Sequence, residues 1–253
     1  MDVVLLSPLS YCQSGERIES AARPDPTIMD SSARKTLIWH TASLPKATQK
    51  ALNFLSQEKW LRMSSWYLAE GTALALQVGH RVSIDLDFFL PHSDFSTGGL
   101  IKHFQKSAWH TNLVREGTIY GRLLNAKVSF IAYPFFVPAQ PFLHYGGVKI
   151  LSAHDIAVMK VIAISQRGRK RDFIDLFWYC KNIGSMDMAL CAITEQYPTV
   201  NHNYSHVYKS LMYFEDAEND PMPKIFFKTN WSEIKNFFKK EVPKATKKVL
   251  KLV

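Results

Sequence analysis

Residues 46–58, KATQKALNFLSQE, place Ala47, Ala51, Leu52 and Leu55 on one helical face, the first clear period along the chain. A short strand, SSWYLA (64–69), follows, then a turn at Glu70–Gly71 and a short helix, TALALQV (72–78), ended by Gly79–His80. RVSIDLDFFL (81–90) is the next strand. Leu100, Ile101 and Phe104 suggest a helix over 97–107, and LVREGTIYGRLLNAKVSFIAYPF (113–135) reads as strands broken at Gly117, Gly121 and Asn125. Pro134, Pro138 and Pro141 mark a loop, and GGVKIL (146–151) offers one more short strand.

From Ser152 the pattern turns helical. SAHD places an N-cap serine three residues before an acid, a capping-box variant with Asp155 in place of Glu or Gln. That helix runs to Arg167, where Gly168 can cap it, and RKRDFIDLFWYCKN opens the next. Further helical segments and a lysine-rich end complete the chain. The expectation is an α+β protein. A poorly structured tail over 1–34 precedes a small mixed β-sheet with flanking helices over 35–151. A helical C-terminal domain follows over 152–253, with the site between the two. The tail holds Pro8, Pro24 and Pro26 and no period, so Met29 is a candidate natural start and the residues before it are expected to be dispensable.

Composition narrows the class. Of 253 residues, 47% are hydrophobic, which supports a real core. A net charge of +9 favours polyanions such as nucleotides, nucleic acid or anionic lipid, although charge alone is equally consistent with a merely soluble basic protein. Cys12, Cys180 and Cys191 form no CxxC pair and cannot all be bonded to one another, which fits a reducing cytoplasm. There is no apolar run of about 18 residues for a membrane span and no basic start for a signal peptide.

The candidate chemistry centres on IDLDFF (84–89). In a strand, Asp85 and Asp87 share one face, with Ile84, Leu86 and Phe88 on the other. Two carboxylates roughly 6–7 Å apart along a strand repel unless a positive group lies between them. Water and salt can serve, or a hard, oxygen-seeking cation such as Mg²⁺. Upstream, Gly71–Thr72 joins a strand to a helix whose free N–H groups suit a phosphate. Each feature alone has a bland reading as a turn or a solvated strand face. Their order and spacing are more specific, because they bring a phosphate cradle beside an acid pair.

The block GTALALQVGHRVSIDLDFF resembles the AbiEii/AbiGii-type toxins of the DNA polymerase β-like nucleotidyltransferase superfamily. MKVIAISQRGRKRDFIDLFW resembles their lysine-bearing helix followed by R-x-x-x-RDF-x-D, and YFEDAENDPMP with WSEIKNFF resembles a later segment. The resemblance spans about Thr36 to Val242. It implies transfer of a nucleotide from an NTP to an acceptor hydroxyl, in related toxins a tRNA 3′ end, and an antitoxin as partner. By the same resemblance Asp85 and Asp87 hold Mg²⁺ or Mn²⁺, and Gly71 and Thr72 cradle phosphate. Arg81, Ser83 and Arg167 contact the nucleotide, and Lys160 meets the triphosphate. Asp172 either orients Lys160 or assists the metal and acceptor, while Arg171 and Asp175 are equally well read as structural ion pairs. Glu70 stands where the family often has a second glycine. The later strand carries Ser129 where a third acid is usual, with Glu116 a weak substitute, which favours one metal over two. Those departures leave two alternatives: a degenerate, non-catalytic binder of nucleotide or RNA, and a basic interaction protein.

Other signals are weaker. RGRKR (167–171) suits RNA phosphates or a solvated loop. His202 and His206 lack a third ligand for zinc. Phe226, Phe227, Trp231, Phe237 and Phe238 suit helix packing better than base stacking, and Cys180 and Cys191 suit buried thiols.

Overall fold

The structure, a computed structural model, describes residues 38–104 and 108–250. The tail over 1–34 with Cys12 and Met29, and the last three residues of the helix expected over 97–107, lie outside the described residues.

After a single 3₁₀ turn at Thr41–Ser43, helix α1 (Lys46–Gln57) buries Ala51, Leu52 and Leu55, the face read from its period. Then come α2 (Lys59–Met63), β1 (Tyr67–Ala69), α3 (Glu70–Val78), β2 (Leu86–Leu90) and α4 (Thr97–Lys102). A run of strands follows: β3 (Trp109–Arg115), β4 (Thr118–Leu123), β5 (Ala126–Ala132), β6 (Leu143–Tyr145) and β7 (Val148–Ile150). The helical part holds α5 (Ala153–Arg167), α6 (Lys170–Asn182), α7 (Met186–Cys191), α8 (Ile193–Gln196), α9 (Tyr204–Ser210), α10 (Glu215–Glu218) and α11 (Trp231–Val249).

The strands form one mixed sheet in the order β3-β4-β5-β2-β1-β7-β6. β2 lies antiparallel to β1 and parallel to β5, and β1 lies parallel to β7. Because side chains alternate along each strand, the register sorts residues onto two faces. Leu86, Phe88, Phe130 and Ile119 point into the core, where Phe130 meets Trp60, Trp66 and Phe104. The opposite face carries a cross-strand row in which Asp87 stands opposite Ser129 and Ser129 opposite Tyr120. α5 is buried along most of its length and packs on α3 and α6; Phe173 and Phe238 join α6 to α11.

Several expected elements change at their edges. The strand expected over 81–90 begins only at Leu86. Upstream the backbone leaves the sheet: Arg81 bridges to Ile225, Val82 N–H donates to Lys224 O and Ser83 N–H donates to Ser43 O. Ile84 consequently faces solvent at 50% exposure and does not join the apolar face. The expected turn at Glu70–Gly71 is instead the first turn of α3, with Glu70 at φ +62°. Gly117 and Asn125 mark turns, both at positive φ, but Gly121 lies inside β4. A Cβ there would come 2.4 Å from the Trp109 ring, so close packing and not a turn explains that glycine. The loop expected after Pro141 contains β6, which pairs with β7. Ser152 does cap α5, accepting from Asp155 N–H, but the Asp155 carboxylate accepts from Ala139 N–H, Gln140 N–H and Gln196, pinning the preceding loop.

Candidate active site

A cavity of about 340 Å³ opens on the Asp87 face of β2 and β5, with Asp85, Asp87, Glu70, Ser129, Arg167 and Arg171 in its wall. Asp87 projects from β2, and its Oδ1 accepts from Ser129 Oγ at 2.6 Å. Burial pushes its carboxyl up to about 6, with Glu70 and Asp85 adding to the rise and Ser129 and Arg171 opposing it. Asp85 sits one residue before the strand. Its backbone carbonyl accepts from the Thr72 hydroxyl, and Arg171 Nη1 lies 3.6 Å from its Oδ2. Asp85 Oδ1 is buried with no hydrogen-bond partner among the described residues.

Lys160 enters from α5 at 1% exposure. Its ammonium donates to Glu70 and to Asp172 Oδ1 at 2.7 Å, with Asp175 Oδ2 at 3.4 Å. Burial alone would lower its pKa; Asp172, Glu70 and Asp175 reverse that and hold it above the ordinary lysine value. Three donors thus face three carboxylates. Glu70, the residue out of place for a phosphate cradle, turns its carboxylate to Lys160 and Arg167. Arg167 also reaches Asp172 Oδ2 at 3.3 Å, while its own side chain remains 45% exposed. The cavity therefore meets two half-exposed guanidinium groups, Arg167 and Arg171, held only by long ion pairs.

Of the remaining expected nucleotide contacts, Gly71, Arg81 and Ser83 also line the cavity, and Thr72 lies behind it. Arg81 is buried and grips Asp175 with two hydrogen bonds, Nε to Oδ1 at 2.6 Å and Nη2 to Oδ2 at 2.8 Å, while His80 adds a third contact to Oδ1. Burial pushes the Asp175 carboxyl up, but Arg81, then Lys160, reverse this and hold it well below the usual carboxylate range. Thr72 and Ser83 bond to each other at 2.8 Å and are both buried. Gly71 lies against the Arg81–Asp175 pair, where an added Cβ would stand 2.1 Å from Arg81 Nη2. Because that guanidinium is pinned on both arms, it cannot swing away without breaking a buried pair. Gly71→Ala is therefore expected to lower stability by about 1–3 kcal/mol, the usual cost of overpacking, in a denaturant melt. An unchanged midpoint would mean that Arg81 relocates freely.

The donor set is entirely oxygen, as a hard cation requires, and Asp85 Oδ1 is an unpaired buried acceptor. Among the described residues no group of three or more His, Cys, Asp or Glu gathers at metal-holding distance. Ser129, not an acid, faces Asp87 across the sheet. These residues fit Mg²⁺ or Mn²⁺ held by two carboxylates and completed by water and substrate phosphate, and do not form an all-protein cage.

The loop RGRKR does not offer the free basic surface that its sequence suggests. Arg169 Nη2 pairs with Asp220 at 2.7 Å, and buried Lys170 donates to Glu218 O and Asp220 O. Its cavity-facing cations are Arg167 and Arg171, the first and last of the five. Arg171, read from the sequence as equally a structural ion pair, lines the cavity; its place immediately before Asp172 was the available signal. His206 bonds to Ser165 O, and Cys180 and Cys191 are half-buried and form no disulfide among the described residues, with burial pushing the Cys180 thiol up to about 12.

The sequence model of the family described as Nucleotidyl transferase AbiEii toxin, Type IV TA system, matches residues 124–251. An uncharacterized protein of Aquifex aeolicus is 34% identical over 184 residues, covering 71% of this chain and 87% of its own length. Among solved structures, an H. pylori protein with a nucleotidyltransferase assignment aligns at a TM-score of 0.47 and 17% identity, covering 81% of this chain and 98% of its own. MenT4, a nucleotidyltransferase toxin from Mycobacterium tuberculosis, aligns at a TM-score of 0.47 and 12% identity, covering 80% of this chain and 86% of its own.

Proposed function

The chain belongs to the nucleotidyl transferase AbiEii toxin family of type IV toxin–antitoxin systems, and from that premise we propose that it moves a nucleotide from an NTP to the 3′ hydroxyl of an RNA in a metal-dependent reaction. The observation that carries this reading is the meeting of Asp85 and Asp87 with Arg167 and Arg171 in one cavity. Anionic carboxylates alone repel a triphosphate; flanked by half-exposed guanidinium groups they make a site for a phosphate chain with its counter-cation.

Asp85 and Asp87 would hold Mg²⁺ or Mn²⁺, which when bound neutralises phosphate charge and polarises the reacting phosphorus. Arg167 and Arg171 exchange their long contacts to Asp172, Glu70 and Asp85 for phosphate oxygens. Lys160, closed in by three carboxylates, sets the position of Glu70 and Asp172 and adds positive potential behind the phosphates. Thr72 fixes the backbone of Asp85, and Ser129 orients Asp87. The acceptor oxygen bonds to the α-phosphorus as the bond to pyrophosphate breaks, and the hydroxyl proton leaves to water at the cavity mouth. Family membership also supports an antitoxin as partner and the cytoplasm as the place of action. Among the described residues no helix is long and apolar enough to cross a membrane.

Incubation with each labelled NTP, Mg²⁺ or Mn²⁺ and total RNA tests the proposal. Label is expected on RNA and lost with EDTA. Label on protein or a small molecule would overturn the RNA acceptor, and metal-dependent NTP binding without transfer to any acceptor would favour the degenerate binder.

A further inference from the structure

The wall of the same cavity continues past Asp87 through Tyr120, Arg122 and Lys127, whose charges the chemistry proposed above does not use. The β4–β5 register sets Arg122 directly opposite Lys127, and the β3–β4 register sets His110 opposite Arg122. All three are exposed. Like charges directly opposite on a sheet are destabilising, and neither Arg122 nor Lys127 has an acidic partner among the described residues. Tyr120 lies two residues before Arg122 on the same face, 42% exposed. It stands opposite Ser129, which stands opposite Asp87. With strands about 4.8 Å apart, Tyr120 is roughly 10 Å from Asp87 along the row. Asp87 thus stands between two cationic groups. Arg167 and Arg171 face the cavity from the helices, paired with Glu70, Asp172 and Asp85; Arg122 and Lys127 lie on β4 and β5.

We infer that Tyr120, Arg122 and Lys127 form the acceptor-docking platform, on which single-stranded RNA lays a base against Tyr120 and its phosphates along the basic row, leaving its terminal hydroxyl at Asp87. The inference rests on the proposed transfer to RNA and adds the surface that holds the acceptor. An aromatic ring beside uncompensated cations is the arrangement that binds single strands, because every base offers a face to stack and every phosphate a charge. The division is also economical in charge. The triphosphate takes the two arginines next to the acid pair, and the acceptor takes the cations that have no acidic partner among the described residues. The sheet face is the free basic surface that Arg169 and Lys170 do not provide.

The test uses the whole protein and a fluorescein-labelled single-stranded RNA oligonucleotide with a free 3′ hydroxyl, followed by anisotropy across a salt series. Calorimetry with Mg²⁺ and NTP is run alongside. The double variant Arg122→Glu, Lys127→Glu is expected to weaken RNA binding at least tenfold and to flatten its salt slope, since each lost phosphate contact removes about 0.7 from the slope on a single strand. Tyr120→Ala is expected to weaken RNA binding about tenfold and Tyr120→Phe to restore it, with NTP binding weakened far less than RNA binding in every variant. RNA affinity insensitive to both changes, or loss of NTP binding in place of RNA binding, would overturn the platform. Equal binding of a duplex with no Tyr120 effect would do the same. A wild-type protein that binds RNA through this face but never uses NTP would instead count against the proposed transfer, so the two failures are distinct.

Discussion

Lys160→Ala is expected to cost the protein about 3–5 kcal/mol, the range found when one partner is removed from a buried ion pair and the other charge is left uncompensated. Lys160 is buried against Glu70, Asp172 and Asp175, so alanine strands two fully buried carboxylates, Asp172 and Asp175, beside the partly exposed Glu70. For a chain of this size the melting temperature should fall by roughly 6–20 °C. From sequence alone the same substitution is expected to weaken NTP use and leave the fold intact, with melting as the check because the stem can pack; burial of the ammonium against carboxylates adds a cost to the fold. The signs of the shifts fix the pH window. Lys160 has a raised pKa, so its contribution is full below the ordinary lysine value and is lost as pH rises through the folded value. Asp175 has a depressed pKa, so its contribution is present above the ordinary carboxylate value and is lost in acid. The cluster is therefore fully stabilising at neutral pH, where the melts should be compared. Lys160→Met combined with Asp172→Asn should recover part of the loss, since it removes a charge from each side. A single variant that melts like the wild type would show that the ammonium carries no structural weight.

The parts of this arrangement that were legible in the sequence are those fixed by local rules. The apolar face of α1, the Ser152 cap, the Gly168 end of α5 and the order of β1, α3 and β2 follow from spacing and capping chemistry. Asp87 and its apolar neighbours Leu86 and Phe88 follow from period two. What escaped was set by contacts distant in sequence. Nothing near Arg81 announces that Asp175, 94 residues away, will close on it, or that residues 224–226 will draw the chain off the sheet before Asp85. Glu70 looked misplaced beside a phosphate because its partner, Lys160, lies 90 residues downstream. Gly121 illustrates the same limit: it was read as a strand break, and the Trp109 ring stands where its Cβ would go. Arg169 and Lys170 are basic in sequence but engaged in space by residues 218–220, Arg169 by the Asp220 carboxylate and Lys170 by backbone carbonyls.

Asp87→Asn separates chemistry from stability in opposite directions. Transfer should fall by at least about 10³-fold, because the residue is one of the two carboxylates proposed to hold the cation, and about 4 kcal/mol of transition-state stabilisation corresponds to that factor. Stability of the metal-free chain should rise. The Asp87 carboxyl is pushed up to about 6 from an ordinary value of 3.8, so the folded state holds its proton more tightly than the unfolded chain does. Its contribution is therefore present below the ordinary value and is lost as pH rises through about 6. Above that pH the ionised group is a net cost, of about 1–3 kcal/mol once partial exposure is allowed for. Asparagine removes the charge, and its side-chain oxygen can still accept from Ser129 Oγ. In EDTA near pH 8 the variant should melt above the wild type, and near pH 4 the two should converge, because the wild-type carboxyl is then protonated as well. Mg²⁺ with NTP should reverse the order at pH 8, since only the wild type gains binding energy from the pair. A variant less stable than the wild type in EDTA at pH 8 would mean that Asp87 is held by contacts to its ionised form, and would remove the argument that this carboxylate stands ready for a cation.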